Sequence, residues 1–198
     1  MLLVLARTLP VTLGVSLACL ILFGLTQSGI IRGSSLQFPA LDTAALSVSQ
    51  LWRLLSPIGL HHTPIHLLLN LVVWVEFARQ IERNTSSGRL ILLVLLSGFV
   101  GNFSEYFVKN HQFGGLSGVA LGAAGYTWVS SHYCADRSRW NFPPTYMLAT
   151  LGWVLWGIWD SSLKMANGAH LGGLASGALL GFWFRDHCAD TSRHDRGQ

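Results

Sequence analysis

Six apolar runs, each close to the length a helix needs to cross a bilayer, constrain this chain more than any other feature of its sequence. A helix rises about 1.5 Å per residue, so roughly 20 mostly apolar residues cross about 30 Å of hydrocarbon. The runs cover residues 10–30, 64–81, 90–108, 116–133, 145–159 and 169–184. They predict an all-α polytopic membrane protein: a six-helix membrane domain over residues 1–185, then a short cytoplasmic tail over 186–198. Charge content agrees, since 11% of residues are charged where a soluble globule has about 25%. The first run follows Arg7 and has no clear small-x-small cleavage site before the next polar stretch, so it reads as a retained span. Residues 32–60 are too mixed to span. Their Trp52, Leu54 and Leu55 beside Arg53 suit a loop lying in the membrane interface.

The net charge of +4 does not point to nucleic acid, because the basic residues form no cluster with interleaved aromatics and lie in short gaps between apolar runs. They report topology instead. With a cytoplasmic N-terminus, the inner side holds Arg7, Arg79, Arg83, Arg89, Arg137, Arg139, Arg185, Arg193 and Arg196, and the outer side only Arg32, Arg53, Lys109 and Lys164. That asymmetry matches the positive-inside rule with both termini cytoplasmic. It makes the second, fourth and sixth helices begin at the outer face. Cys19, Cys134 and Cys188 are odd in number, far apart and without metal-ligand spacing, so neither a disulfide framework nor a zinc site is expected.

At those outer helix starts stand His66 and Asn70, then Ser117 within Gly115-Leu116-Ser117-Gly118, then His170 after Asn167-Gly168-Ala169. Polar and ionisable groups inside a bilayer are costly and face the bundle interior, so four at one depth mark a candidate site. Singly, each also fits a packing role. On the sixth helix His170, Gly173, Gly177 and Gly181 share a stripe, and Gly118, Gly122 and Gly125 make a matching small-residue stripe on the fourth. Such spacing lets helix backbones approach closely, within reach of a hydrogen bond between Ser117 and His170. Amide hydrolysis needs an activated nucleophile and donors aimed at the developing oxyanion. Ser117 with His170 meets the first need; His66, Asn70 and the Ser117 backbone amide can meet the second. Asp160 and Glu105 lie at helix ends in no evident orienting position, so the residues read as a catalytic dyad.

The run Trp52-Arg53, His61, His66 to Asn70, Glu82, Gly114 to Gly118, Gly125-Tyr126 and Met165 to His170 resembles the bacterial rhomboid-family intramembrane serine proteases of the GlpG type. The likeness extends over residues 51–184. It implies a six-helix rhomboid core in the bacterial inner membrane and a serine-histidine dyad reached by water from the outer side. It also implies single-span membrane proteins as substrates and no cofactor. The cytoplasmic N-terminal domain frequent in GlpG-type enzymes is expected to be absent. Two positions depart from the family pattern. Leu121 replaces a tyrosine that packs on the catalytic histidine, which predicts a less firmly oriented His170, and Pro57 stands where a histidine is frequent. Rhombosortases depart at the tyrosine position too, so processing of C-terminally anchored proteins is an alternative specificity.

Rival readings have weaker support. His61, His62 and His66 invite a metal, but Pro64 places the first two in a loop and no His-Glu-x-x-His pattern is present, so no metal is expected. A non-catalytic rhomboid-like client-binding protein would have lost the serine or the histidine. A transporter would show paired broken helices or a charged relay at the midplane. Glu76 and Arg79, three apart, are expected to pair and anchor the second helix.

Overall fold

The computed structural model describes residues 8–36, 48–108, 113–134, 136–159 and 165–185. Six α-helices follow one another with no strand among the described residues: α1 (Pro10–Gln27), α2 (Pro64–Asn84), α3 (Ser87–Val108), α4 (Ser117–Tyr133), α5 (Pro144–Trp159) and α6 (Asn167–Trp183). Each coincides with one predicted run, the ends differing by a few residues. Proline stands in the first turn of α1, α2 and α5, where its missing N–H costs no helical hydrogen bond. Thr63 caps α2 by accepting the His66 N–H at 3.1 Å. The tail expected after residue 185, and with it Arg193 and Arg196, lies outside the described residues, as do Arg7, Lys109, Asp160, Lys164 and Cys188.

The polarity of this bundle is inverted relative to a soluble protein. Leu17, Leu20 and Ile21 of α1, Leu148, Leu155 and Trp159 of α5, and Leu179 and Trp183 of α6 face outward. Thr12, Asn70, Gln80, Glu82, Ser97, Glu105, Asn167, His170 and Ser176 are buried. Apolar side chains outside and polar groups inside is the arrangement a bilayer demands. By themselves α1 and the Ser87–Phe107 stretch of α3 are long and apolar enough to cross a membrane, with mean hydropathy of 1.7 and 1.6.

α4 and α6 form the centre of the bundle, in backbone contact. A methyl on Gly173 would collide with the Gly118 carbonyl, and one on Gly177 with the Gly122 carbonyl. The predicted glycine stripes therefore meet face to face. α3 joins this centre, with Ser176 donating to the Ser97 hydroxyl at 3.1 Å and Gly101 lying against the Ala169 carbonyl. α1 is held from below its first turn by Glu82, whose carboxylate accepts the Val11 and Thr12 amides at 2.8 and 2.9 Å. The same carboxylate accepts the Thr12 and Ser87 hydroxyls, so one buried acid ties three helices together.

Several expectations are refined. Arg79 pairs with Glu76 at 2.7 Å, as their spacing predicts. Cys134 is disulfide-bonded, against the expectation that the cysteines form no disulfide; sequence separation carries no information on Cα proximity. Cys19 is a free, buried thiol. In the first loop Trp52 stays half-exposed with the Arg53 guanidinium 5.2 Å from its ring centroid, but Leu54 faces the protein. It is buried with Tyr106 and Phe113, and its carbonyl accepts the Asn102 amide at 2.6 Å.

Candidate active site

Ser117 is the first residue of α4, and the turn before it is held by the first loop. The Gly115 N–H donates to the Pro57 carbonyl at 2.9 Å. Gly114 presses on the same loop, where an added methyl would lie 2.8 Å from Leu60 Cβ. Pro57 therefore contributes through its backbone, which is why a proline can stand at this point. Gly115 has φ +128°, a conformation L side chains rarely adopt, and the Leu116 N–H donates to His61 Nε2 at 3.3 Å. The other ring nitrogen of His61 lies 3.2 Å from the Gly59 carbonyl. With Nε2 accepting, Nδ1 must carry the proton and donate to Gly59, so the two contacts fix one neutral tautomer. Burial pushes the His61 pKa down to about 4, the nearby His66 and His62 push the same way, and the Gly59 contact offsets only part. A buried neutral imidazole thus shapes the turn that presents Ser117.

His170 enters from the first turn of α6, and its Nε2 lies 2.9 Å from Ser117 Oγ. The ring is buried, with 6% exposure, whereas Ser117 is half-exposed. The hydroxyl is thus partly open to its surroundings while the imidazole lies in a low-dielectric one. His170 Nδ1 is buried without a hydrogen-bond partner among the described residues.

The residues that sequence spacing placed opposite Ser117 do converge there. A methyl on Gly115 would meet His66 Nε2 at 2.9 Å and Asn70 Nδ2 at 3.3 Å, so both side chains aim at one small space beside the turn. Asn70 Nδ2 is buried with no partner among the described residues. The amides of Ser117 and Gly118 belong to the first turn of α4, where helix N–H groups have no intrahelical acceptor and the macrodipole favours negative charge. His62 and His61 flank His66, with ring centroids 6.1 and 5.1 Å away. Among the described residues no group of three His, Cys, Asp or Glu is placed to hold a metal.

Glu105 corrects the sequence reading, which gave it no orienting place. It is 2% exposed, and its Oε2 accepts the Gly168 N–H at 2.7 Å and the Ala169 N–H at 3.3 Å. The carboxylate thus caps the helix that begins just before His170. Sixty-three residues separate Glu105 from Gly168, so no local spacing could reveal the pairing. The available signal was chemical: an acid near the end of a long apolar helix needs a buried partner. Leu121 lies one turn into α4 and is half-buried.

The model of the rhomboid domain matches residues 48–187, which hold all of these groups. Proteins named rhomboid protease GlpG are similar over nearly the whole chain. That of Yersinia enterocolitica serotype O:8 / biotype 1B is 30% identical over 185 residues, 93% of this chain and 66% of the relative. That of Serratia proteamaculans strain 568 is 31% identical over 186 residues, again 93% and 66%. For Yersinia pestis strain Pestoides F the figures are 30% over 188 residues, 92% and 65%. The chain thus spans just under two thirds of the length of these relatives.

Proposed function

We propose an intramembrane proteolytic function on one premise: the chain belongs to the rhomboid family. In this reading it is a serine endopeptidase that hydrolyses peptide bonds of single-span membrane proteins near the outer membrane face. Both termini are cytoplasmic, and the membrane is the bacterial inner membrane. The observation that carries it is the 2.9 Å contact between His170 Nε2 and Ser117 Oγ. With Nε2 unprotonated, His170 accepts the Ser117 proton as Oγ attacks the scissile carbonyl. The carbonyl oxygen becomes an oxyanion in the space lined by His66, Asn70 and the Ser117 amide, where donors already in place need no reorganisation. The His170 imidazolium then protonates the leaving amine. Water, activated by the same imidazole, hydrolyses the acyl-enzyme and restores the serine.

The test is cleavage of a single-span reporter by the purified protein, beside Ser117→Ala and His170→Ala proteins that remain folded. Both variants are expected to be inactive, because nucleophile and base act as a unit. Asn70→Ala is expected to slow turnover by about 10²–10³, the usual effect of losing one oxyanion donor. Substantial cleavage by the Ser117→Ala protein would remove the assignment.

A further inference from the structure

When Nε2 of His170 accepts from the Ser117 hydroxyl, the other ring nitrogen must carry a hydrogen, because a neutral imidazole has one donor and one acceptor. That Nδ1–H is buried and has no acceptor among the described residues. A buried donor left unmade costs more than its hydrogen bond would contribute, so such groups find an acceptor or an ordered water. Glu105 of α3 reaches the same turn of α6, but its Oε2 is taken by the Gly168 and Ala169 amides.

The complement stands one turn earlier on the same helix. Asn167 is the first residue of α6 and, like His170, is 6% exposed. Its Oδ1 is a buried acceptor without a partner among the described residues. Positions three apart on a helix are neighbours, with about 5–6 Å between Cβ atoms. Helical side chains also lean toward the N-terminus, so the His170 ring leans over the turn that Asn167 opens. The amide is packed in place from α5: its oxygen uses the room left by buried Gly157, where an added methyl would stand 2.9 Å away. We propose that Asn167 is a positioning residue for the base, its Oδ1 receiving the His170 Nδ1–H hydrogen bond through one bridging water. The two atoms make no direct hydrogen bond, and a water can accept from Nδ1–H while donating to Oδ1. This fixes the tautomer and the swing of the ring that leave Nε2 free to take the Ser117 proton. The bond strengthens when the ring becomes imidazolium, so its loss falls on kcat and not on KM. The inference rests on the proteolytic reading of Ser117 and His170.

The experiment compares the full-chain parent with Asn167→Leu and Asn167→Asp proteins in four measurements. These are cleavage of a single-span reporter, the rate at which a fluorophosphonate labels Ser117, Tm, and the proton NMR signal of the imidazole Nδ1–H, assigned by its loss in His170→Ala. Asn167→Leu is close in size and has no acceptor. It is expected to lower kcat about tenfold with KM nearly unchanged, to slow labelling by a similar factor, and to shift or abolish the NMR signal. Asn167→Asp keeps an acceptor oxygen and should recover most of the rate and the signal. If Asn167→Leu does not fold, Asn167→Ala takes its place with the same expected losses. A folded Leu or Ala variant with the parental kcat, labelling rate and NMR signal would overturn the positioning role, and so would an Asn167→Asp protein no better than Asn167→Leu. A parent labelled at Ser117 that cuts no reporter would fail the proteolytic reading alone, the labelling rates and NMR signals still deciding the role of Asn167. A parent neither labelled nor able to cut would overturn both.

Discussion

Glu105 and Leu121 bear on the same side chain from opposite directions, and the geometry of each sets its expected effect. The Glu105 carboxylate holds the first amides of α6, and hydrogen bonds to a charged group are worth about 1.5–3 kcal/mol. Its loss lets the helix start, and His170 with it, drift from Ser117. Glu105→Ala is therefore expected to lower kcat about tenfold or more with KM nearly unchanged. Glu105→Gln, which keeps an acceptor oxygen, should recover most of that loss. A stable Glu105→Ala protein with the parent kcat would end the positioning role. Leu121, one turn into α4 from Ser117, has no aromatic face to offer His170, and such packing is worth about 0.5–1.5 kcal/mol beyond burial. Since about 1.4 kcal/mol is tenfold in rate, Leu121→Tyr should raise turnover up to roughly tenfold if the ring fits. Turnover and Tm are measured together: a variant as stable as the parent and no faster would show that His170 is already held firmly, with Glu105 as the candidate holder.

At the scale of elements, the candidate active site is a consequence of two helices that touch by their backbones. Gly122 and Gly177 meet where a single added methyl has no room, because the opposing atom is a carbonyl and not a flexible side chain. Gly177→Ala must therefore separate α4 from α6, and overpacking of this kind costs about 1–3 kcal/mol. The separation reaches His170, two turns away on α6, and a displacement near 1 Å can cost about 10²-fold in rate. The variant is expected to unfold at lower temperature and to lose activity beyond what its residual folded fraction explains. Gly152, with nothing within 4 Å of an added methyl, is the control: Gly152→Ala should leave both properties unchanged. A Gly177→Ala protein with parental Tm and rate would show that the close approach is dispensable.

For the whole molecule, the proposed proteolysis would need a substrate to bring its backbone to the partly buried Ser117 and the buried His170 in an unwound state. A peptide bond within a stable helix is hydrogen-bonded along that helix and shielded by lipid. Glycine or proline near the site of cleavage lowers the cost of unwinding, so a span carrying them should be cut faster than an otherwise identical leucine-rich span. Equal rates in reconstituted vesicles would sink this account of selectivity. The sequence alone determined the six helices, because burying backbone polar groups in hydrocarbon leaves few alternatives to a helix of bilayer length. It also pointed to the polar residues at the helix starts and to the glycine stripes, since helical periodicity maps directly onto faces. Only the tertiary structure decided that Glu105 caps α6 and that His61 and the Pro57 carbonyl set the turn before Ser117. Each of these joins segments far apart in the chain, and which distant groups meet depends on how whole helices pack, a relation that no local spacing encodes.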